Sequence, residues 1–171
     1  MLTASKARVA LRYNQRTGVF HWKYRADMTA QWNARYAGRI AGWKGKNGYY
    51  FITVDNVAYY AHRVAWLIIK GRWPKHDIDH KNRKPMDNRF CNFREATQSQ
   101  NSRNTSAHYD SRIGLKGVGY CKGAHKSHRW YATICVNYKN KYLGLFPTPE
   151  AAHAAYKRAA KQFHGEFASA A

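Results

Sequence analysis

A chain of 171 residues can form one ordinary domain or two small ones, and with 44% hydrophobic residues it can build real cores. Lys and Arg number 30 against 9 Asp and Glu, a formal charge of +21, which argues against a neutral accessory module and points to a large fixed anion, with nucleic acid the leading candidate. Three cysteines, Cys91, Cys121 and Cys135, show no CxxC pair, so neither a disulfide framework nor a Cys-rich zinc site is indicated.

The charge is not confined to a tail. Residues 1–106 hold 20 basic against 6 acidic side chains, and 107–171 hold 10 against 3. The basic residues lie scattered among Trp, Tyr and Gly, not along one amphipathic helix, and no apolar run approaches the roughly 20 residues that span a bilayer. The N-terminus lacks the apolar core of a signal peptide, so no membrane partner and a cytoplasmic setting are expected.

In chain order, the first clear element is a hairpin: Gly48–Val54 and Val57–Tyr60 flank Asp55-Asn56, a pair that tolerates positive φ in a two-residue turn. Residues Ala61–Lys70 follow as a helix stopped by Gly71, with Pro74 beyond. Ile78-Asp-His80, a loop, Asn92–Thr97 and Gln100-Asn101 then suggest strand, loop, strand and helix, with Thr97 and Gln100 spaced as a capping box. The polar stretch 102–112 places a linker at 107–112, dividing a domain over 1–106 from one over 113–171. The second domain reads as strands near Gly117–Tyr120, Arg129–Val136 and Lys139–Phe146, then a helix capped by Thr148, opened by Pro149 and closed by Gly165. The fold class expected is α+β.

Hydrolysis of a phosphodiester needs a base for water, a cation for the charge developing on phosphate, and ligands for that cation. His80 can serve as the base, since imidazole is largely neutral at pH 7. Asp79 and Asn101 offer oxygen ligands, so the candidate catalytic set is Asp79, His80 and Asn101. Each of these residues alone has a commoner structural use; the combination carries the reading. Arg83, Arg89 and Arg94 are near enough in sequence to clamp phosphate, and His62, at a helix start, is assigned packing and no chemistry.

Most of residues 10–105 resembles the HNH, or ββα-metal, nuclease family, in the subgroup of phage and intron-encoded homing endonucleases. The resemblance rests on Tyr13–Phe20, Ala61–Trp66, Ile78-Asp-His80, Asp87-Asn-Arg89, Asn92–Thr97 and Gln100-Asn101. It implies a ββα-metal domain preceded by a hairpin and helix, acting on double-stranded DNA in a bacterial or phage-infected cell. It also implies His80 as general base, Asp79 and Asn101 as metal ligands, and Asn92 as a structural tie between the strands. Many members have His where this chain has Asp79 and Asn101. The harder oxygen donors favour one Mg²⁺ or Mn²⁺ ion per site over Zn²⁺, bound weakly without DNA.

Residues 113–168 resemble the DNA-binding domain of plant ethylene-response factors, through Lys116-Gly-Val118, Arg129-Trp130, Tyr142–Phe146, Glu150-Ala-Ala152, Ala155-Tyr156, Ala159-Ala160 and His164-Gly-Glu166. Such a domain lays a three-stranded sheet, packed on one helix, into the major groove. The likeness implies Lys116, Arg129, Trp130 and Tyr142 as DNA contacts. Gly119 and Cys135 stand where the plant domains commonly carry Arg, so their target sequence does not transfer. The function expected is a site-preferring endonuclease that nicks, or as a dimer cuts, double-stranded DNA, with no small-molecule cofactor. The alternatives are a non-catalytic DNA-binding protein using the HNH segment as scaffold, and an RNA-binding protein, which composition alone permits.

Overall fold

A computed structural model describes residues 1–105, 113–123 and 129–168. The chain is mixed α+β and divides into two compact units, Met1–Gln98 and Ser99–Ala171. The expected linker at 107–112 lies outside the described residues.

The first unit begins with helix α1 (Ala4–Ala10), whose first turn is capped by the Thr3 hydroxyl accepting from the Lys6 amide. Strands β1 (Leu11–Tyr13) and β2 (Phe20–Trp22) form an antiparallel pair that sequence reasoning did not separate as strands. Helix α2 (Ala30–Tyr36) follows, and then a three-stranded sheet of β3 (Trp43–Lys44), β4 (Tyr50–Val54) and β5 (Val57–Tyr60), with β4 central. The β4–β5 turn has Asp55 at φ 48° and Asn56 at φ 61°, both left-handed, as the Asp-Asn pair led one to expect.

Helix α3 (Ala61–Lys70) buries Val64, Ala65, Trp66 and Leu67 and ends at Gly71, φ 74°. These side chains meet Phe20, Ile52, Ile78 and Phe93 in one core. Strands β6 (Asp77–His80) and β7 (Phe93–Ala96) pair antiparallel in continuous register, Asp79 opposite Arg94 and His80 opposite Phe93.

Helix α4 (Gln98–Arg103) begins at the boundary of the two units. Beyond it, β8 (Val118–Tyr120), β9 (Trp130–Val136) and β10 (Lys139–Phe146) form an antiparallel sheet with β9 in the middle. Helix α5 (Pro149–His164) covers one face, where Ile134 packs with Tyr156, Ala159 and Ala160. The Thr148 hydroxyl accepts from the Ala151 amide and Pro149 opens the helix, the start read from the sequence.

The β1–β2 hairpin braces the loop between β6 and β7. The Tyr13 hydroxyl donates to the Asn88 carbonyl at 2.7 Å, and the Phe90 amide donates to the Gln15 carbonyl at 3.0 Å. Gly18, at φ 76°, lies so close that an added Cβ would stand 2.5 Å from the Asn88 carbonyl carbon. Both its conformation and the rigid neighbour oppose a side chain. Gly18→Ala is therefore expected to destabilise the protein by ~1 kcal/mol or more, read as a lower urea midpoint; an unchanged midpoint would show that this brace yields freely.

Candidate active site

A β-strand sends neighbouring side chains to opposite faces, so Asp79 and His80 adjacent in β6 pose a geometric problem for a shared site. A site shared by both requires that the strand end or distort there. It ends directly after His80, while the register runs unbroken through both residues, and both are buried at 5% exposure. Each face of β6 is covered differently.

On the Asp79 face stands its cross-strand partner Arg94. Arg94 Nε donates to Asp79 Oδ2 at 2.7 Å and Arg94 Nη2 lies 2.6 Å from the same oxygen. The pair is nearly dry, so charge compensation here is obligatory: removing either partner alone would strand a buried charge. On the His80 face the imidazole is enclosed by three rings. Phe93 meets it edge-on with centroids 5.2 Å apart, His62 does so at 5.1 Å, and Tyr49 stands 6.1 Å away. Burial pushes the His80 pKa below that of an ordinary histidine, against smaller opposing effects of Asp79, Asn88 and Asp87. The ring is held neutral at pH 7.

The loop joining β6 and β7 is pinned by Asn92. Its side-chain oxygen accepts from the Asn82 amide at 3.0 Å, and its side-chain nitrogen donates to Asn82 Oδ1 and to the Asp87 carbonyl, each at 2.9 Å. Lys81 adds a backbone bond to the Asn92 carbonyl at 2.9 Å. Asp87 also accepts from Asn82 Nδ2 and from Arg89 Nη2, both at 2.6 Å, and Arg89 is the chief reason its carboxyl is held down at about 2. Of the three arginines read as phosphate clamps, Arg89 and Arg94 are thus engaged by carboxylates. Arg83 sits in the turn after β6 at φ 58°, its amide bonded to the His80 carbonyl.

His62 extends the buried polar group. It stacks on Tyr60 at 5.3 Å and meets His80 edge-on, and its pKa is pushed down to about 3, first by burial and then by His80 and Arg63. Sequence reasoning gave it a packing role and missed that it forms one wall around the His80 ring. Two histidines in mutual contact are difficult to find from spacing alone.

Asn101 lies half-buried on α4, described with the second unit. That helix is fastened by Lys116, whose Nζ donates to the carbonyls of Arg103 and Thr105 at 2.7 Å each, satisfying acceptors at its C-terminal end. The residue expected to touch DNA thus has a structural partner.

Alternation also sorts the other expected DNA contacts. Trp130 shares the face of β9 that carries buried Ala132 and Ile134, the side covered by α5. Arg129 Nη1 donates to the Tyr120 hydroxyl at 2.9 Å, and the Tyr120 ring meets Trp130 edge-on at 4.9 Å. Tyr142, 62% exposed, lies opposite Thr133 on the other face, together with Tyr131 and Cys135. Gly119 pairs with Tyr131, and an added Cβ there would come within 2.2 Å of that ring. The ring fills the space that a longer side chain at 119 would require. Tyr131 and Thr133 were not singled out from sequence; strict alternation about Ala132 and Ile134 was the available signal.

Among the described residues no three His, Cys, Asp or Glu side chains gather as a metal cluster, and no helix is long and apolar enough to cross a membrane. Residues 59–103 match the family model of the HNH endonuclease, a stretch that contains Asp79, His80, Asn92 and Asn101. No curated protein and no solved structure matches the chain. The match supports a nuclease domain of the HNH class in that stretch, which implies DNA as a substrate; HNH nucleases generally use divalent metal ions.

Two outcomes follow from this geometry. Unfolded chain takes up a proton at His62 near pH 6.5, whereas the folded chain resists until about pH 3, so stability is full above this window and lost as pH falls through it. The urea midpoint should drop between about pH 7 and about pH 5, and His62→Phe should flatten the slope; a midpoint that rises on acidification contradicts a buried neutral His62. Lys116→Met should speed amide hydrogen exchange across α4 while α5 stays protected, since the lost ammonium leaves two carbonyls without their donor. Unaltered exchange in α4 would show that the helix does not depend on Lys116.

Proposed function

We propose that the chain is a metal-dependent endonuclease that hydrolyses phosphodiester bonds in double-stranded DNA, of the homing type. One observation carries the reading: the HNH-matching segment of a +21 chain includes a buried Asp-His pair whose imidazole is kept neutral. A neutral His80 can accept a proton from water as attack on phosphorus begins. Its ring is fixed by Phe93, His62 and Tyr49, so little reorientation precedes that transfer.

Asp79 and Asn101 would hold the metal, and as oxygen donors they suit one Mg²⁺ or Mn²⁺ ion. When bound, such an ion supplies charge neutralisation at the phosphate and the leaving oxygen. With a single carboxylate in the set, tight binding needs phosphate and water oxygens as well. Asn92 keeps its structural role, holding the loop at the end of β6.

The Arg94–Asp79 pair favours a second reading, a DNA-binding protein whose HNH segment is scaffold, because it already neutralises the carboxylate. In the nuclease reading Arg94 compensates Asp79 until the metal and DNA arrive. In the second unit, Tyr131, Thr133 and Tyr142 on the face away from α5 are the proposed DNA contacts, with Trp130 and Arg129 supporting the sheet from its other side and edge. The module would add affinity and position.

Plasmid relaxation decides between the readings. The wild type should convert supercoiled plasmid to nicked circles with Mg²⁺ or Mn²⁺ and not with EDTA. His80→Ala should lose roughly 10²- to 10⁴-fold in rate. A wild type inactive across divalent metals and target DNAs removes the enzyme reading, and a His80→Ala variant that cuts as well as wild type removes His80 from the role of base.

A further inference from the structure

A cavity lies in the first unit, formed by the segment between β2 and β5. It encloses about 500 Å³ and is lined by Trp22, Trp32, Tyr36 and Trp43, with Arg25 and Gly42 at its wall. Trp22 and Trp32 meet edge-on at 5.3 Å, and Trp32 and Tyr36 lie 5.1 Å apart. Trp43 stacks on Phe51 at 5.1 Å, with 19° between the planes, and remains 50% exposed. Large aromatic side chains ordinarily close such a space, because each void forfeits contacts.

The framework around this cavity is rigid. The Asn33 amide spans the loop, accepting from the Arg25 amide at 2.9 Å and donating to the Arg25 carbonyl at 2.8 Å. Arg25, only 6% exposed, is bonded to Asp27 at 2.5 Å and Asp55 at 2.9 Å, its guanidinium 6.0 Å from the centre of the Trp32 ring. Gly42, at φ 106°, passes so near β4 that a Cβ would lie 2.5 Å from the Phe51 carbonyl oxygen. The walls are held apart by bonds that do not depend on an occupant.

The electrostatics restrict what that occupant can be. Between residues 22 and 56 the acidic residues are Asp27 and Asp55; Asp55 lines the cavity, and both are bonded to Arg25. Arg35, Arg39, Lys44 and Lys46 are exposed around the same segment. A flat, apolar group carried by an anionic chain fits both features; a cation would suit the aromatic walls but is opposed by the surrounding Lys and Arg, and an aliphatic ligand forgoes the stacking.

We propose that this cavity takes a single unpaired nucleobase of the DNA strand, stacked among Trp43, Trp32 and Trp22, with the flanking phosphates met by the surrounding Lys and Arg side chains. This rests on the DNA reading above and adds a preference for duplexes with a displaced base, at a site separate from Asp79 and His80.

The test measures affinity of the full chain at fixed salt for three duplexes: fully paired, with one extrahelical nucleotide, and with an abasic residue in the extrahelical position. The extrahelical base should bind about 5- to 100-fold more tightly than the abasic control, the range that one base stacked on aromatic side chains provides. Trp43→Ala should bring that ratio close to one, and Trp43→Phe should retain most of it. Trp32→Leu, read the same way, covers an unstable Trp43→Ala. Equal binding of the abasic and extrahelical duplexes, or a ratio that survives both tryptophan variants, overturns the inference. Competition by a free deoxynucleoside monophosphate at lower concentration than by the displaced-base duplex also overturns it, since the occupant would then be a free nucleotide. If no duplex binds at all, the DNA reading itself falls; if paired duplex binds and is cut without a displaced-base preference, only the cavity assignment falls.

Discussion

Two neighbouring polar side chains, both buried, set the demand that the first unit is built to meet. Asp79 and His80 leave β6 on opposite faces, so one covering cannot serve both. The carboxylate face requires a cation, and the register of β6 on β7 delivers Arg94. The imidazole face requires an apolar wall, and the same register delivers Phe93 there, with His62 from α3 completing it. A slip of one residue between β6 and β7 would set either Phe93 opposite Asp79 and Asn92 opposite His80, or Glu95 opposite Asp79 and Arg94 opposite His80, so neither slipped register serves both side chains. Register, the loop pinned by Asn92 and the placement of α3 are therefore parts of one constraint.

Elements whose boundaries are local chemistry were legible. Asp55-Asn56, Gly71, Thr148-Pro149 and Gly165 each fix a turn or helix end through their own backbone preferences, and each stands where the sequence reading put it. The β1–β2 pair and α2 were not separated, because their evidence is tertiary: three-residue strands have no usable alternation, and α2 is organised by Asn33 reaching back to Arg25. The candidate site shows the same division. Asp79 and His80 stood out from their order in the chain and Asn92 from resemblance, while the bonds of Asn92 to Asn82 and Asp87 became evident only in the fold. Arg94 as partner of Asp79, and His62 as a wall around His80, depend on pairing across strands and helices that spacing does not encode. Trp130 was selected by resemblance, and its side of the sheet became evident only from the burial of Ala132 and Ile134.

The charge of the chain can also be resolved by location. In the first unit Asp27 and Asp55 are held by Arg25, Asp79 by Arg94, Asp87 by Arg89 and Glu95 by Arg72. Four arginines thus account for five of the six acidic residues before position 107, leaving Asp77. Acidic side chains so engaged do little to offset the remaining Lys and Arg. The excess acts outward, where it attracts a polyanion and releases counterions on contact.

This distribution separates two kinds of arginine that a net charge cannot distinguish. Arg25 and Arg94 are almost wholly buried and held by carboxylates; moving Arg94 to a phosphate would strand the buried Asp79 carboxylate, and moving Arg25 would break its bonds to Asp27 and Asp55. Surface cations such as Arg35, Arg39 and Lys46 carry no such obligation and can exchange water and counterions for phosphate at little structural cost. Salt should then weaken the proposed DNA binding through the second group while leaving the Arg94–Asp79 pair intact, because a buried pair is screened far less than exposed charges. Affinity for the backbone and the architecture that positions the candidate catalytic pair thus draw on different charges within the same basic chain.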